Sequence, residues 1–207
     1  SGQTIGPLDE FDLALVSSAL AAVDLIGVRD VGLSAPILRN EVQYEGTIIE
    51  TTDDALFMER ASEERLRQEL SRLRMHEYKR FVALNLRYEP DDRLKAALRF
   101  IAQKGFTILG IPMSPPDVPR LRKLSRSDLG DSLVLMPLGA SPEVIRAIIS
   151  KAIFVMSERH HPAVFAVGES VPALALYRNE YYYMKFMGIL VQRFISPFPE
   201  PDTGRRK

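Results

Sequence analysis

From residue 80 onward, unbroken apolar runs alternate with longer stretches whose apolar residues recur every three or four positions. The runs are FVALNLR (81–87), FTILGIPM (106–113), SLVLMPL (132–138), IFVMS (153–157) and PALALY (172–177). Blocks of about five to eight apolar residues predict strands buried on both faces, as a parallel sheet requires. Between them, DDRLKAALRFIAQKG (91–105), SPPDVPRLRKL (114–124), SPEVIRAIISKA (141–152), HPAVFAVGES (161–170) and EYYYMKFMGIL (180–190) predict helices. Ser141 followed by Pro142 and Glu143 is a helix start, because proline is tolerated in the first turn and the acid complements the dipole. Strand and helix in strict alternation predict βαβ units and an α/β fold with an open, doubly wound parallel sheet.

The opening residues carry a shorter copy of the same theme. LDEFDLALVSSALAAVD (8–24) and LSAPILRNE (33–41) predict helices, with LIGVRD (25–30) and TIIET (47–51) as strands. The charged, helix-favouring ERASEERLRQELSRLRMHEYKR follows at 59–80. The expected organisation is therefore a partial N-terminal α/β lobe over 1–58, a linker helix over 59–80, a second lobe over 81–196 and a tail over 197–207.

Charge and cysteine content narrow the function classes. Lys and Arg balance Asp and Glu at 27 each, so no general basic field draws the chain to nucleic acid or anionic lipid. Arg205, Arg206 and Lys207 follow PFPEPDTG and read as part of the tail rather than a nucleic-acid arm. There is no cysteine, which excludes disulfides and thiolate metal sites. No run approaches the ~18 apolar residues of a membrane span. SGQTIGPLDE lacks the basic and apolar regions of a secretory signal, so a cytoplasmic location is the expectation. A homo-oligomer is compatible with this composition.

Ligands of open parallel sheets bind beyond the carboxyl ends of the strands. Polar residues gather at several predicted ends: Arg29 and Asp30, Asn85 and Arg87, Ser157 to His161, and Arg178 with Glu180. Taken alone, Arg87 reads more readily as a surface ion-pair partner than as a ligand clamp, and Arg29 as a local partner of Asp30. The turn SERHHP is the stronger candidate. Arg159 and His161 stand two apart where a strand passes into a helix, and Pro162 suits that helix's first turn. The helix N-terminus offers N–H groups and a positive dipole end to an anion beside Arg159. Guanidinium forks match carboxylate and phosphate oxygens, and an imidazole exchanges a proton near neutrality. A small, multiply charged substrate follows from that set. Other signals are weak: GQTIGP is neither a dinucleotide fingerprint nor a P-loop, and no nucleophile elbow occurs. Asp53 and Asp54 read as a solvated turn, His76 as an exposed helix residue, and the tyrosines at 181–183 as helix packing.

Segment 144–188 resembles the C-terminal signature of the polysaccharide pyruvyl transferases. Ser157, Arg159 and His161 match that family's S-x-R-x-H turn, Gly168 and Pro172 lie near its glycine and proline with one extra residue between, and Lys185 matches a downstream lysine. GQTIGP resembles its G-Q-S-I-G-P, VDLIGVRD its A-D-x-I-x-x-R-D, DDAL its D-x-A segment, and FVALNLR the strand opening its second lobe. The family's serine three residues after the R-D aspartate is displaced here to Ser34, with Leu33 in its place. Family members carry roughly half a domain ahead of G-Q-S-I-G-P, so a fragment or a shortened relative is expected.

The resemblance implies two Rossmann-like lobes of the GT-B-like kind. It also implies transfer of the enolpyruvyl group of phosphoenolpyruvate to two hydroxyls of a saccharide acceptor, forming a pyruvate ketal on a cell-surface polysaccharide or its precursor. Phosphoenolpyruvate is then the donor substrate, with no metal or other cofactor. His161 is the implied general acid. Arg159, together with Arg87 or Arg29, is the implied holder of the donor's anionic groups, with Ser157 and Lys185 as further substrate-binding residues. The acceptor would lie on the lobe that is mostly missing. Two alternatives stay open: a glycosyltransferase of the same fold gripping a nucleotide sugar through Glu180, and a non-catalytic lobe that binds an anion or a partner protein.

Overall fold

The computed structural model describes residues 4–75 and 80–195, so the expected tail and His76 lie outside the described residues. The chain divides into two compact units, one formed by Ser1–Asp54 with Asn179–Lys207, the other by Ala55–Arg178.

The first unit begins with helix α1 (Glu10–Leu20), strand β1 (Leu25–Val28), helix α2 (Val31–Asn40) and strand β2 (Thr47–Glu50). Asp9 caps α1 by accepting from the Asp12 N–H, which satisfies a donor the first turn leaves open. β1 and β2 pair in parallel, and Val28, Leu38, Val42 and Tyr44 form the buried centre.

In the second unit, α3 (Glu63–Arg72) leads to β3 (Phe81–Asn85), α4 (Asp92–Gln103), β4 (Thr107–Gly110) and α5 (Asp117–Leu124). The chain continues through β5 (Leu133–Leu135), α6 (Pro142–Ile149), β6 (Phe154–Ser157), α7 (His160–Gly168) and β7 (Ala173–Ala175). The five strands are all parallel, in the order β5-β4-β3-β6-β7. β3 is central and every residue in it is buried, which is why its sequence is apolar without alternation. Prolines trim the expected strands: Pro112 follows β4 and Pro137 follows β5, and neither can donate to a neighbouring strand. The core on one side gathers Val82, Leu84, Leu98, Ile108, Leu121, Leu124 and Met156.

This is the doubly wound parallel α/β architecture that the alternation predicts. The chain builds outward from β3 through β4 to β5, then returns to β3's other side for β6 and β7. The direction reverses between β3 and β6, and a crevice opens beyond the carboxyl ends at such a reversal.

The last helix, α8 (Glu180–Ile195), packs against α2 in the first unit. The sequence pattern grouped residues 180–196 with the strands before them, because amphipathic periodicity marks a buried face without naming the sheet that covers it. Gly188 is the residue that permits the approach: a Cβ there would lie 2.9 Å from an Asp30 carboxylate oxygen. Among the described residues, no helix is long and apolar enough to cross a membrane.

Candidate functional site

At the reversal point, Asn85 of β3 and Ser157 of β6 are register partners, each the last residue of its strand. Both are buried, and the two chains leaving them, Leu86-Arg87-Tyr88 and Glu158-Arg159, carry the polar groups of the site. Two buried carboxylates organise those groups.

The first is Asp117, the opening residue of α5, which is 0 % exposed. Its Oδ2 accepts from the Met113 and Ser114 N–H groups at 3.0 and 3.1 Å, and its Oδ1 accepts from the Ser114 hydroxyl at 3.0 Å. Arg159 completes the set as a two-pronged donor, Nε to Oδ2 at 3.0 Å and Nη2 to Oδ1 at 2.8 Å. Nη2 also reaches the Ser114 hydroxyl. Burial alone pushes the Asp117 carboxyl up, but the hydrogen bonds from Arg159, the Met113 N–H and Ser114 outweigh it and hold it below its ordinary range. Asn85 joins through Nδ2, 2.9 Å from the Ile111 carbonyl and 3.5 Å from Asp117 Oδ2.

The second is Glu158, 4 % exposed. Its Oε2 accepts the backbone N–H groups of Arg87 at 2.6 Å and Tyr88 at 2.7 Å, and its Oε1 lies 3.5 Å from Arg178 Nε. This carboxylate pins the loop after β3 to the end of β6.

Four of the expected residues, Ser157, Arg159, His161 and Arg87, lie on the segments that leave β6 and β3. Ser157 turns its hydroxyl onto the backbone of Arg159, donating to the carbonyl at 2.7 Å and accepting from the N–H at 3.1 Å, so it shapes the turn. Arg159 is the residue preceding α7, with two of its three guanidinium nitrogens held by Asp117 and Ser114. Its Nη1 has no partner among the described residues. His161 is exposed in the first turn of α7, its ring 5.7 Å from His160 and 6.5 Å from Phe165. Arg87 lays its guanidinium over Tyr88, 5.3 Å from the ring centre.

Two expected residues belong to the first unit. Arg29, just past β1, is buried and pairs with Asp53 at 3.1 Å rather than with its neighbour Asp30, so Asp53 is a buried ion-pair partner and not part of a solvated turn. Lys185 on α8 donates to the Tyr181 hydroxyl at 3.0 Å. Asp30 itself is buried under the Thr4 and Ser34 hydroxyls, which donate to its carboxylate at 2.6 and 3.1 Å.

Asp117 is the organising residue that sequence reasoning missed. Its position in the first turn of a helix after Ser114-Pro115-Pro116 marks a helix start, but nothing local marks a partner 42 residues further on. Glu158 stood within the candidate turn without a role. Its partners, 70 and 71 positions upstream, are visible only once β3 and β6 are neighbours.

A profile of the polysaccharide pyruvyl transferase family matches residues 1–180. No curated protein matched the sequence. Among solved structures, the chain is similar to the S. aureus MnaA–UDP co-structure, with TM-score 0.55 and 15 % identity over 91 % of this chain and 55 % of that one. It is also similar to Methanocaldococcus jannaschii UDP-GlcNAc 2-epimerase in complex with UDP-GlcNAc and UDP, with TM-score 0.46 and 12 % identity over 81 % of this chain and 54 % of that one. A family 9 glycosyl transferase from Veillonella parvula gives TM-score 0.47 and 12 % identity over 74 % and 44 %. The chain thus spans about half the length of these structures, and the likeness to MnaA bears out the GT-B-like α/β fold.

Proposed function

Because this chain belongs to the polysaccharide pyruvyl transferase family, we propose that it moves the pyruvyl group of phosphoenolpyruvate onto two hydroxyls of a sugar, leaving a pyruvate ketal on a polysaccharide or its precursor. The observation that carries this reading is the position of the family's S-x-R-x-H turn. Ser157, Arg159 and His161 occupy the end of β6 and the first turn of α7, beside the reversal in strand order where sheets of this kind bind ligands.

In this scheme Ser157 and Asp117 hold Arg159 rigid, one through its backbone and the other through its side chain. The remaining edge of that guanidinium faces the donor, and Arg87 contributes a second cation. The N-terminal N–H groups of α7 add to the attraction. His161 gives its proton to the methylene carbon of the donor, which becomes a methyl group and leaves an oxocarbenium-like centre at C2. One sugar hydroxyl adds there, and a second displaces phosphate as the C2–O bond to phosphate breaks. Of the two hydroxyl protons released, one restores His161 and the other leaves with phosphate. A positioned acid of this kind contributes about 10²–10⁴-fold. The guanidinium groups and the helix terminus carry the charge, and phosphoenolpyruvate enters as a substrate without a separate cofactor.

Thermal-shift titration of the chain with phosphoenolpyruvate, UDP and UDP-GlcNAc tests the donor, since a ligand that binds only the folded state raises the melting temperature. Stabilisation by phosphoenolpyruvate is the expected result. Stabilisation by the UDP compounds alone transfers the site to a nucleotide-sugar donor, and none by any of them leaves the non-catalytic reading.

A further inference from the structure

Arg159 is largely matched by Asp117, so a donor with several negative charges needs another cation at this end of the sheet. Arg178 supplies it. It sits just past β7, the strand beside β6, with its side chain 48 % exposed. Its Nη2 donates to the Glu89 carbonyl at 2.6 Å, and its Nε lies 3.5 Å from Glu158 Oε1. The guanidinium is 4.9 Å from the centre of the Tyr88 ring, which also carries Arg87. Nη1 of Arg178 has no partner among the described residues.

Every inner contact of Arg178 therefore fixes its position, and one edge is left outward. Glu158 is the hub of that arrangement. One buried carboxylate meets the backbone leaving β3 through Arg87 and Tyr88, and the side chain leaving β7 through Arg178. Three neighbouring strand ends are joined by a group that does not itself face the solvent. An aromatic ring beneath a guanidinium restricts its tilt and leaves its fork to meet a planar or tetrahedral anion.

We propose that Arg178 is a donor-binding residue, gripping a phosphate or carboxylate oxygen of a small phosphorylated acid, and that Glu158 is the positioning residue that aims it. The identity of that acid rests on the reading of phosphoenolpyruvate as donor; the placement of the anion does not.

Calorimetric titration of the wild-type chain and of Arg178→Ala, Arg178→Lys and Glu158→Gln with phosphoenolpyruvate, and separately with UDP, tests this. Arg178→Ala is expected to weaken phosphoenolpyruvate binding about tenfold or more, the scale of a lost hydrogen bond to a charged group. Its fold, read by circular dichroism, should be retained, and Arg178→Lys should fall between, keeping charge without the fork. Glu158→Gln should also weaken binding, and combining it with Arg178→Ala should cost no more than Arg178→Ala alone, which a merely structural role for Glu158 would not produce. Wild-type affinity in Arg178→Ala overturns the proposal while leaving the donor reading intact. If the wild type binds UDP and not phosphoenolpyruvate, the donor reading falls, and loss of UDP binding in Arg178→Ala still upholds the anion site. Binding of neither probe, or UDP binding that ignores Arg178, overturns both.

Discussion

Asp117 and Arg159 meet as a fork on a fork, 42 residues apart in sequence, with the carboxylate fully enclosed. Arg159 is 27 % exposed, so water still reaches the charge left behind, and losing hydrogen bonds between charged groups costs about 1.5–3 kcal/mol. Asp117→Asn is expected to lower stability on that scale. The carboxyl is held below its ordinary 3.8, so its contribution is present above that pH and is lost as pH falls through the depressed folded value. Urea unfolding of the two proteins should therefore diverge at neutral pH and converge in acid below about 3.8.

Another cation, buried Arg146, does structural work. Arg146 of α6 directs Nη1 at the carbonyls of Ala55, Leu56 and Met58, the first two at 3.1 and 3.0 Å, and bonds Glu169 through Nε at 2.6 Å. It fastens the segment that opens the second unit to the helices behind the sheet. Arg146→Met should lower the urea midpoint by an amount corresponding to about 3–5 kcal/mol. Arg146→Met with Glu169→Leu should recover part of that loss, because the carboxylate deprived of Arg146 is gone too, and Arg60, its other partner at 3.4 Å, is half exposed. Limited proteolysis should cut near Met58 in the single variant first.

The strand ends carrying the site were legible in the sequence because β3 and β6 are buried on both faces and so are apolar throughout, leaving Asn85 and Ser157 as visible endpoints. Arg159 and His161 could be singled out for the same reason. Their partners could not. Asp117 and Glu158 are recognised through contacts between strand ends, and Arg146 through backbone carbonyls, which have no sequence signature. Helix α8 shows the same limit for packing, since its apolar face is evident while the unit it covers is not.

His161 separates chemistry from binding. It is exposed in the first turn of α7, and no described hydrogen bond ties it to the fold, so its removal should leave the melting temperature unchanged. In an active chain His161→Ala should retain phosphoenolpyruvate affinity and lose about 10²–10⁴-fold in the rate of phosphate release with acceptor present. Equal loss of affinity would make the imidazole a binding group instead.

Asp30 runs opposite to Asp117 in its pH dependence. Burial is the largest influence and raises its carboxyl above the ordinary 3.8, although the Thr4 and Ser34 hydroxyls and the nearby Arg29 pull the other way. A raised folded value means the stabilisation is full below 3.8 and is lost as pH climbs through that folded value. Asp30→Asn mimics the protonated acid, and its amide can still meet two hydroxyls because those rotate. Its melting temperature relative to wild type should rise as pH goes from about 4 to 7. Gly188→Ala approaches the same carboxyl from α8 and should do the reverse of what helix propensity suggests. Glycine to alanine within a helix ordinarily gains about 1 kcal/mol. Here the new Cβ would stand 2.9 Å from Oδ2 and 3.2 Å from Cγ of Asp30, and overpacking of this kind costs about 1–3 kcal/mol. A net loss of stability in urea, relieved when Asp30 is shortened to Ala in the same chain, is the expected result.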